Sequence, residues 1–295
     1  MHLIVGCGYL GERVARLWLA REWPVAAVTR SRQRAEEFRR MGLYPIVADV
    51  TQPDTLACLR GIVGPTDHVL WSVGYDRHAS PDQHTVYVEG LGNVLAALPE
   101  KFGKIISISS TGVYGQGAGE LIDEDSPAEP TRTGGRACLA AEQLLLSHAH
   151  GQRAVILRLA GIYGPQRVPN RAAFTGGAVL DVNPDSYLNL IHVEDAVQAV
   201  ELAWERAAPP RTYLIADGHP VSRAHYYAEV ARLLNAPPPI FNAIDPPAVP
   251  SAGMTPRRGS GNKRIDNSRF VHELRPQFIF PDYRAGLAAI LGGNE

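Results

Sequence analysis

The sequence predicts an α/β fold, a doubly wound parallel sheet with helices on both faces, and three observations support this prediction. Short apolar runs alternate with helical patterns through the first two-thirds of the 295 residues. These runs are nearly continuous, as expected for strands that helices cover on both faces. A glycine-rich turn joins the first run directly to the first helical pattern. Alternating β and α elements favour a parallel sheet, because parallel strands need crossover connections.

Each element is predicted from its local pattern. HLIVGCG is a buried strand, and GERVARLWLAREW is a helix because Val14, Leu17 and Trp18 share one face. PVAAVTRS is the second strand, and RQRAEEFRRMG is a charged helix. The further predicted strands are YPIVADV, HVLWSVG, KIISISS, AVILRLAGIYG and TYLIADG.

The pattern changes after about residue 217. PVSRAHYYAEVARLLN is a helix with Ser222 as its N-cap, a segment rich in proline and glycine follows, and DYRAGLAAILGG is a last short helix. We therefore predict a small C-terminal substrate lobe beside the sheet domain. The predicted boundaries are 1–165 plus 189–217 for the sheet domain and 166–188 plus 218–295 for the lobe.

Composition excludes several function classes. The net charge is −1 with no block of basic residues, which argues against a nucleic-acid partner. No apolar stretch approaches 18 residues and the N-terminus has no signal-peptide pattern, so we expect neither a membrane span nor export. Cys7, Cys58 and Cys138 are odd in number and have no metal-site spacing. We expect a protein of the reducing cytoplasm without a metal.

The first turn carries Gly6-x-Gly8-x-x-Gly11 between a strand and a helix. In that context the pattern indicates a dinucleotide site, whereas alone it would also fit a structural turn. Gly6 allows the tight turn, Gly8 lets the backbone approach a pyrophosphate, and Gly11 lets helix and strand pack closely. Tyr9 and Leu10 lie inside the same predicted site.

The end of the second strand indicates which dinucleotide is bound. An NAD site would have an acidic residue there to bond the ribose 2′-hydroxyl, but this chain has Thr29, Arg30, Ser31 and Arg32. Cations and hydroxyls suit a 2′-phosphate, so NADP(H) is favoured over NAD(H). The alternative is that these arginines are only the solvated start of a helix.

Residues after the third and fourth strands complete the predicted cofactor site. Asp49 and Val50 are placed to bracket an adenine. The segment after the fourth strand is expected at the nicotinamide end, and it comprises Ser72, Val73, Gly74 and Tyr75.

Five segments together resemble the extended short-chain dehydrogenase/reductase family, the NAD(P)-dependent epimerases and dehydratases. They are IISISSTGVYG, LRLAGIYGP, NLIHVEDAVQAV, YLIADGHPVSRAHYYAEVARLL and NKRIDNSRFVHEL, and they cover nearly the whole chain. The resemblance implies a Rossmann fold and a soluble cytoplasmic oxidoreductase. It also implies a catalytic Ser or Thr, with a Tyr and a Lys spaced Y-x-x-x-K at the start of a helix.

This sequence departs from the family at the catalytic helix, PTRTGGRACLAAEQLL. Alignment on the family pattern puts Ser110 at the Ser/Thr position, Gly134 at the Tyr and Cys138 at the Lys, so the chain resembles an atypical subgroup. No lysine lies between residues 104 and 263 to replace the missing one. The resemblance implies Ser110 and Tyr114 as catalytic candidates. The substrate-binding candidates are Tyr75, Arg136, Tyr163 and Arg257.

Three functions remain open from the sequence. The first is an oxidoreductase or epimerase with a displaced acid/base, acting on a small hydroxyl or carbonyl compound such as a nucleotide sugar. The second is a non-catalytic NADP(H)-binding sensor or scaffold, and the third is a non-redox enzyme that binds dinucleotide weakly. The apolar helix 135–149 suggests a homodimer, since this helix often forms the dimer interface in relatives.

Overall fold

A seven-stranded sheet organises the chain. The computed structural model describes residues 1–76, 81–169, 171, 179–242 and 261–292. Its strands are β1 His2–Val5, β2 Val25–Thr29, β3 Tyr44–Val47, β4 Val69–Trp71, β5 Ile105–Ser110, β6 Glu120–Ile122, β7 Ala154–Leu159, β8 Gly161–Tyr163, β9 Tyr187–Leu188, β10 Leu190–His192, β11 Arg211–Ile215, β12 Val221–Ser222 and β13 Lys263–Ile265.

The large sheet has the strand order β3-β2-β1-β4-β5-β7-β11. The pairs β3–β2, β2–β1, β1–β4 and β4–β5 are all parallel. The order reverses at β1, which lies between β2 and β4, and this is the switch point at which doubly wound sheets bind ligands. The predicted fold class is confirmed.

Helices fill the connections. They are α1 Gly11–Ala20, α2 Arg32–Arg40, α3 Leu59–Ile62, α4 Gly90–Ala97, α5 Thr133–Ser147, α6 Val193–Arg206, α7 Arg223–Leu233, α8 Ser268–Leu274 and α9 Tyr283–Leu291. On α1 the predicted apolar face is present, with Val14 and Trp18 buried, although Leu17 is only half-buried. The Ser222 side chain accepts a hydrogen bond from the His225 amide, which confirms the predicted cap of α7.

The chain divides into two compact units. The first comprises 1–110, 133–158 and 197–213, and the second comprises 111–132, 159–196 and 214–295. These ranges differ from the predicted domain boundaries mainly at 111–132. That segment enters the second unit because its strand β6 pairs with β13, in the register Lys263–Glu120.

Each unit has its own hydrophobic core. In the first unit, apolar residues of the sheet pack against α4 and α5. In the second unit, Tyr163, Tyr226 and Tyr283 lie fully or almost fully buried among residues of α7 and α9. Two further strand pairs, parallel β8–β10 and antiparallel β9–β12, belong to the second unit. Within the part of the chain that the structure describes, no helix combines the length and hydropathy that a membrane crossing needs.

A cluster of aromatic rings closes the amino ends of β1 and β4 in the first unit. The rings of His2 and His68 stack at 5.7 Å, and Trp204 contacts both. His68 Nδ1 accepts a hydrogen bond from the Lys104 amide (2.6 Å), so this nitrogen carries no proton. Lys104 Nζ donates to the Trp204 and Ala207 carbonyls at the end of α6 (both 2.6 Å), which satisfies two unpaired helix carbonyls.

This cluster predicts a loss of stability in mild acid. Burial first, then the charges of His2 and Lys104, lower the pKa of His68 to about 4, against the opposing effect of Asp67. The unfolded chain therefore binds this proton more readily, and stability should fall as the pH drops from about 6.5 to about 4. His68→Gln should flatten this part of the free energy of unfolding measured by urea titration. His272→Gln, at an exposed position on α8, should leave the slope unchanged, and an equal slope in both variants would contradict the assignment.

Candidate functional site

The glycine loop between β1 and α1 is built on two close backbone contacts. Gly6 has φ +95°, and a Cβ atom there would lie 2.4 Å from the Val73 amide nitrogen. A Cβ atom on Gly11 would lie 2.5 Å from the Gly6 carbonyl oxygen, which also accepts a hydrogen bond from Ser72 Oγ (2.8 Å). A Cβ atom on Gly8 would meet no atom within 4 Å. Gly6 and Gly11 therefore serve the packing of the loop, while Gly8 leaves open space in front of α1.

A cleft of about 390 Å³ opens at the carboxyl ends of β1 to β4 in the first unit. Most of the predicted cofactor residues line it, and so does Tyr75. These predicted lining residues are Gly6, Gly8, Thr29, Arg30, Asp49, Val50, Val73, Gly74 and Tyr75. The cleft also has lining residues that the sequence analysis missed, among them Phe38, Thr51, Asp76 and Val86. Six predicted cofactor residues do not line it: Tyr9, Leu10, Gly11, Ser31, Arg32 and Ser72.

The residues after β2 include three arginines, and they differ in their contacts. Arg32 is exposed at the start of α2 but does not line the cleft. Ser31 Oγ accepts from the Arg34 amide (3.2 Å) as the N-cap of α2. The Arg34 guanidinium is paired with Glu12 and Glu37. Arg30 is exposed, lines the cleft, and forms no hydrogen bond or ion pair with any described residue. Its charge is therefore available to a bound anion.

The turn after β3 is held by its own side chains. Asp49 Oδ1 accepts from the Thr51 amide (2.9 Å) and from Thr51 Oγ1 (2.8 Å). The Val50 carbonyl accepts from Asn93 Nδ2 (2.9 Å), which ties the turn to α4. Asp49 and Val50 thus have fixed positions in the wall of the cleft.

Helix α5 carries no phenol or ammonium at its start. A Cβ atom on Gly134 would lie 3.2 Å from the side-chain amide of Gln83. Burial raises the pKa of the Cys138 thiol to about 11, and the negative charge of Glu142 adds to the rise. Glu142 is itself buried and forms a multiple hydrogen-bonded ion pair with Arg158, while Ser109 Oγ also donates to it. Cys138 is therefore a neutral group that supplies no positive charge.

Comparison with known proteins identifies the family. The family model described as "NAD dependent epimerase/dehydratase family" matches residues 2–216. The chain belongs to this family. The earlier resemblance to extended short-chain dehydrogenases/reductases is thereby confirmed.

Individual relatives cover nearly the whole chain. Protein YeeZ of Escherichia coli K12 is 30% identical over 282 residues, which are 95% of this chain and 96% of that protein. A functionally unknown conserved protein from Silicibacter pomeroyi DSS has a solved structure with a TM-score of 0.79 and 30% identity, covering 98% of this chain and 97% of that chain. A 4-hydroxy-2-methyl-3-oxo-4-farnesyl-3,4-dihydroquinoline-1-oxide ketoreductase from Stigmatella aurantiaca is 27% identical over 231 residues, which are 73% of this chain and 67% of that protein.

Tyr87 is a residue beside the cleft that the sequence analysis missed. It lies in a π-type turn, Thr85–Glu89, that leads into α4, and turns of this kind are frequent at functional sites. Its ring packs edge-on against the Tyr75 ring, with centroids 6.4 Å apart. Burial raises the pKa of the Tyr87 phenol to about 12, with a further rise from Cys138 and a backbone hydrogen bond with Tyr75 opposing it. No signal in the sequence marked Tyr87, because it lies in a run of β-branched and aromatic residues, Thr85–Val88, and such a run suggests only packing.

The candidates of the second unit have buried rings. Tyr114 is 2% exposed, and its carbonyl accepts a hydrogen bond from Lys263 Nζ (2.7 Å). Tyr163 is fully buried and its hydroxyl donates to the Asp282 carbonyl (3.3 Å), which gives this phenol a packing role in the structure. Arg257 lies outside the described residues.

Two candidates of the first unit lie on or near α5. Ser110 ends β5 and is half-buried. Arg136 is exposed in the first turn of α5, where its guanidinium donates to Thr133 Oγ1 (3.4 Å). It does not line the cleft, so it does not stand in for the missing lysine there.

The loop geometry predicts a large effect for one glycine substitution and almost none for another. Gly6→Ala should lower the free energy of unfolding by about 2–4 kcal/mol, because alanine is strained at this φ and overlaps the Val73 backbone. Gly8→Ala should change it by less than about 0.5 kcal/mol, because the new methyl enters open space. Chemical denaturation of the two variants measures the difference, and equal destabilisation would refute this account of the loop.

Proposed function

We propose that this protein is an NADP(H)-dependent oxidoreductase that acts on a small carbonyl or hydroxyl compound, a class that includes nucleotide sugars. The observation that carries the proposal is the cleft at the carboxyl ends of β1 to β4, where Gly8 leaves open space and Arg30 presents an unengaged charge. A sheet of this kind binds dinucleotides at its switch point, and the cleft lies there.

The residues of the loop suit a pyrophosphate. The free amides at the start of α1 and the positive end of its dipole favour an anion in the space beside Gly8. When bound, the dinucleotide would supply the hydride donor or acceptor. Tyr75 and Val73, which follow β4 in the same cleft wall, would line its nicotinamide end.

Arg30 supports the preference for NADP(H). The four residues that end β2 and begin α2 include no carboxylate to bond a ribose 2′-hydroxyl. Arg34 is occupied by Glu12 and Glu37, and Arg32 does not line the cleft. Arg30 is therefore the arginine placed to bind a 2′-phosphate through charge-assisted hydrogen bonds. The Ser31 hydroxyl, although it accepts a bond as the N-cap, still has its own proton to donate.

Tyr75 is the phenol proposed to exchange a proton with the reacting oxygen, because it lines the cleft. The other two candidate phenols, Tyr114 and Tyr163, are buried in the second unit. Tyr87 would hold the Tyr75 ring through their edge-on contact. The similarity to a ketoreductase supports carbonyl chemistry.

A second candidate function is dinucleotide binding without turnover. It is favoured by Gly134 and Cys138, which stand where the resemblance implies a Tyr and a Lys, and by the neutral thiol of Cys138. The two candidates differ in one observable. An enzyme transfers hydride to some carbonyl compound in a single turnover, whereas a sensor binds NADPH and never oxidises it.

Titration with NADPH and with NADH, followed by nicotinamide fluorescence, tests the cofactor assignment. We expect tight NADPH binding and weaker NADH binding. Arg30→Ala should weaken NADPH binding by about tenfold to a hundredfold, the usual effect of losing a hydrogen bond to a charged group, and should leave NADH binding unchanged. Arg40→Ala, a substitution of an exposed arginine at the far end of α2, is the matched control. Binding of neither dinucleotide would overturn the proposal.

Removal of the Tyr75 hydroxyl tests the acid/base assignment. Tyr75→Phe should slow single-turnover hydride transfer from NADPH by about 10²–10⁴-fold, because a positioned proton donor contributes that much. NADPH affinity should change little, since the ring remains. Tyr44→Phe, at a 54% exposed position on β3, should retain the full rate. An unchanged rate in Tyr75→Phe would exclude this phenol as the donor.

A further inference from the structure

The backbone of Lys263 is fixed in the second unit by contacts on two sides. Lys263 begins β13 and lies opposite Glu120 of β6 in a parallel pair. The Asn189 side-chain amide donates to the Lys263 carbonyl (2.8 Å), and its oxygen accepts from the Ile265 amide (2.8 Å). The start of this strand is therefore rigidly placed, although it follows a long segment rich in proline and glycine.

The Lys263 ammonium is directed to a carbonyl and not to an acid. Its Nζ donates to the Tyr114 carbonyl oxygen at 2.7 Å, and it forms no ion pair with any residue that the structure describes. Burial lowers the pKa of Lys263 to about 8; the positive charge of Arg132 lowers it further, and Glu120 opposes the shift. An ammonium with one donor on a carbonyl keeps two N–H groups for another partner.

Arg132 contributes a second cation on the same side of Tyr114. It lies half-buried just before α5, and its neighbour Thr131 packs against Gly115, where a Cβ atom would lie 3.3 Å from Thr131 Cγ2. Gly115 follows the Tyr114 carbonyl that holds the Lys263 ammonium. Arg132 forms no hydrogen bond or ion pair within the described ranges. Glu120, the acid that faces Lys263, is exposed and accepts a hydrogen bond from the Ala118 amide (2.8 Å). Arg264, the next residue of β13, donates instead to the Gly119 carbonyl (3.0 Å).

We propose that Arg132 and Lys263 together bind one anionic group, a carboxylate or a phosphate, of the molecule on which this protein acts. An anion between them would replace the repulsion of two partly buried cations by two charge-assisted contacts. Arginine offers a planar fork that matches either group, and lysine offers a compact charge. That the anion belongs to a substrate rests on the proposed function, whereas anion binding by the pair does not.

The small number of lysines allows a direct test on the intact protein. The chain has three lysines, Lys101, Lys104 and Lys263, so labelling lysine at ¹³Cε gives three signals that Lys→Arg variants assign. The pH titration of each signal is recorded in chloride, in phosphate and in acetate at matched ionic strength. We expect phosphate, acetate or both to raise the pKa of Lys263 above its value in chloride. Lys104, which is bonded to carbonyls of the first unit, should not respond.

Variants at the second cation complete the test. Arg132→Met should raise the pKa of Lys263 in chloride and weaken the anion response about tenfold or more, as expected for loss of a charged partner. Arg264→Met, on the same strand, should preserve the response. The stronger of the phosphate and acetate responses identifies the anion. Equal behaviour in all three salts, or a full response in Arg132→Met, would overturn the proposal.

Failure here is distinguishable from failure of the proposed function. The lysine signals report on the pair without cofactor or turnover. If the fluorescence titration shows no NADPH binding but Lys263 still responds to anions, only the oxidoreductase proposal is refuted. If the pKa of Lys263 does not respond to either anion while NADPH binds normally, only the anion-site proposal is refuted.

Discussion

The contact between the Gly6 and Val73 backbones is the constraint on which the cleft depends. The chain leaving β1 passes so close to the end of β4 that a methyl group at Gly6 would lie 2.4 Å from the Val73 nitrogen. The Ser72 hydroxyl donates a hydrogen bond to the Gly6 carbonyl and so stabilises this close approach. Because Gly11 has no side chain, the start of α1 packs against the same carbonyl. The crossing therefore fixes the start of α1 at the switch point of the sheet. The open space at Gly8 is a consequence of that placement.

Helix α5 buries a charged pair in its middle and no charge in its first turn. Glu142 and Arg158 are 3% and 9% exposed and bond to each other at 2.6 Å. Removing either partner would leave a buried charge without compensation, at a cost of about 3–5 kcal/mol. No comparable constraint acts on Gly134 or Cys138, since glycine and a neutral thiol bury no charge. The buried pair thus ties the middle of the helix to β5 through Ser109, while the first turn buries no charge.

The sequence predicted those features whose cause is local. Periodicity and the glycine spacing predicted the sheet and the loop between β1 and α1, and the Ser222 pattern predicted the cap of α7. Contacts between residues that are far apart in the sequence could not be predicted from local patterns. The pairing of Arg34 with Glu12 joins two helices, the Lys263 bond to Tyr114 spans 149 positions, and the Tyr87 contact depends on a π-type turn. Each of these contacts determines whether a charge or a phenol is free to bind a ligand. The sequence could therefore supply a list of candidate residues but could not show which of them are engaged by other residues.

The protonation of the groups near Tyr75 also bears on the proposed chemistry. Oxidation of an alcohol needs a base, and in the implied family mechanism an ammonium lowers the pKa of a phenol to provide one. Here the group at that position is a thiol with a pKa of about 11, beside a phenol, Tyr87, with a pKa of about 12. Burial therefore keeps both groups protonated at neutral pH, so they can donate hydrogen bonds and do not act as bases. Tyr75, the phenol proposed to exchange a proton, packs against this neutral phenol. That contact suits a proton donor to a carbonyl oxygen better than it suits a phenolate base.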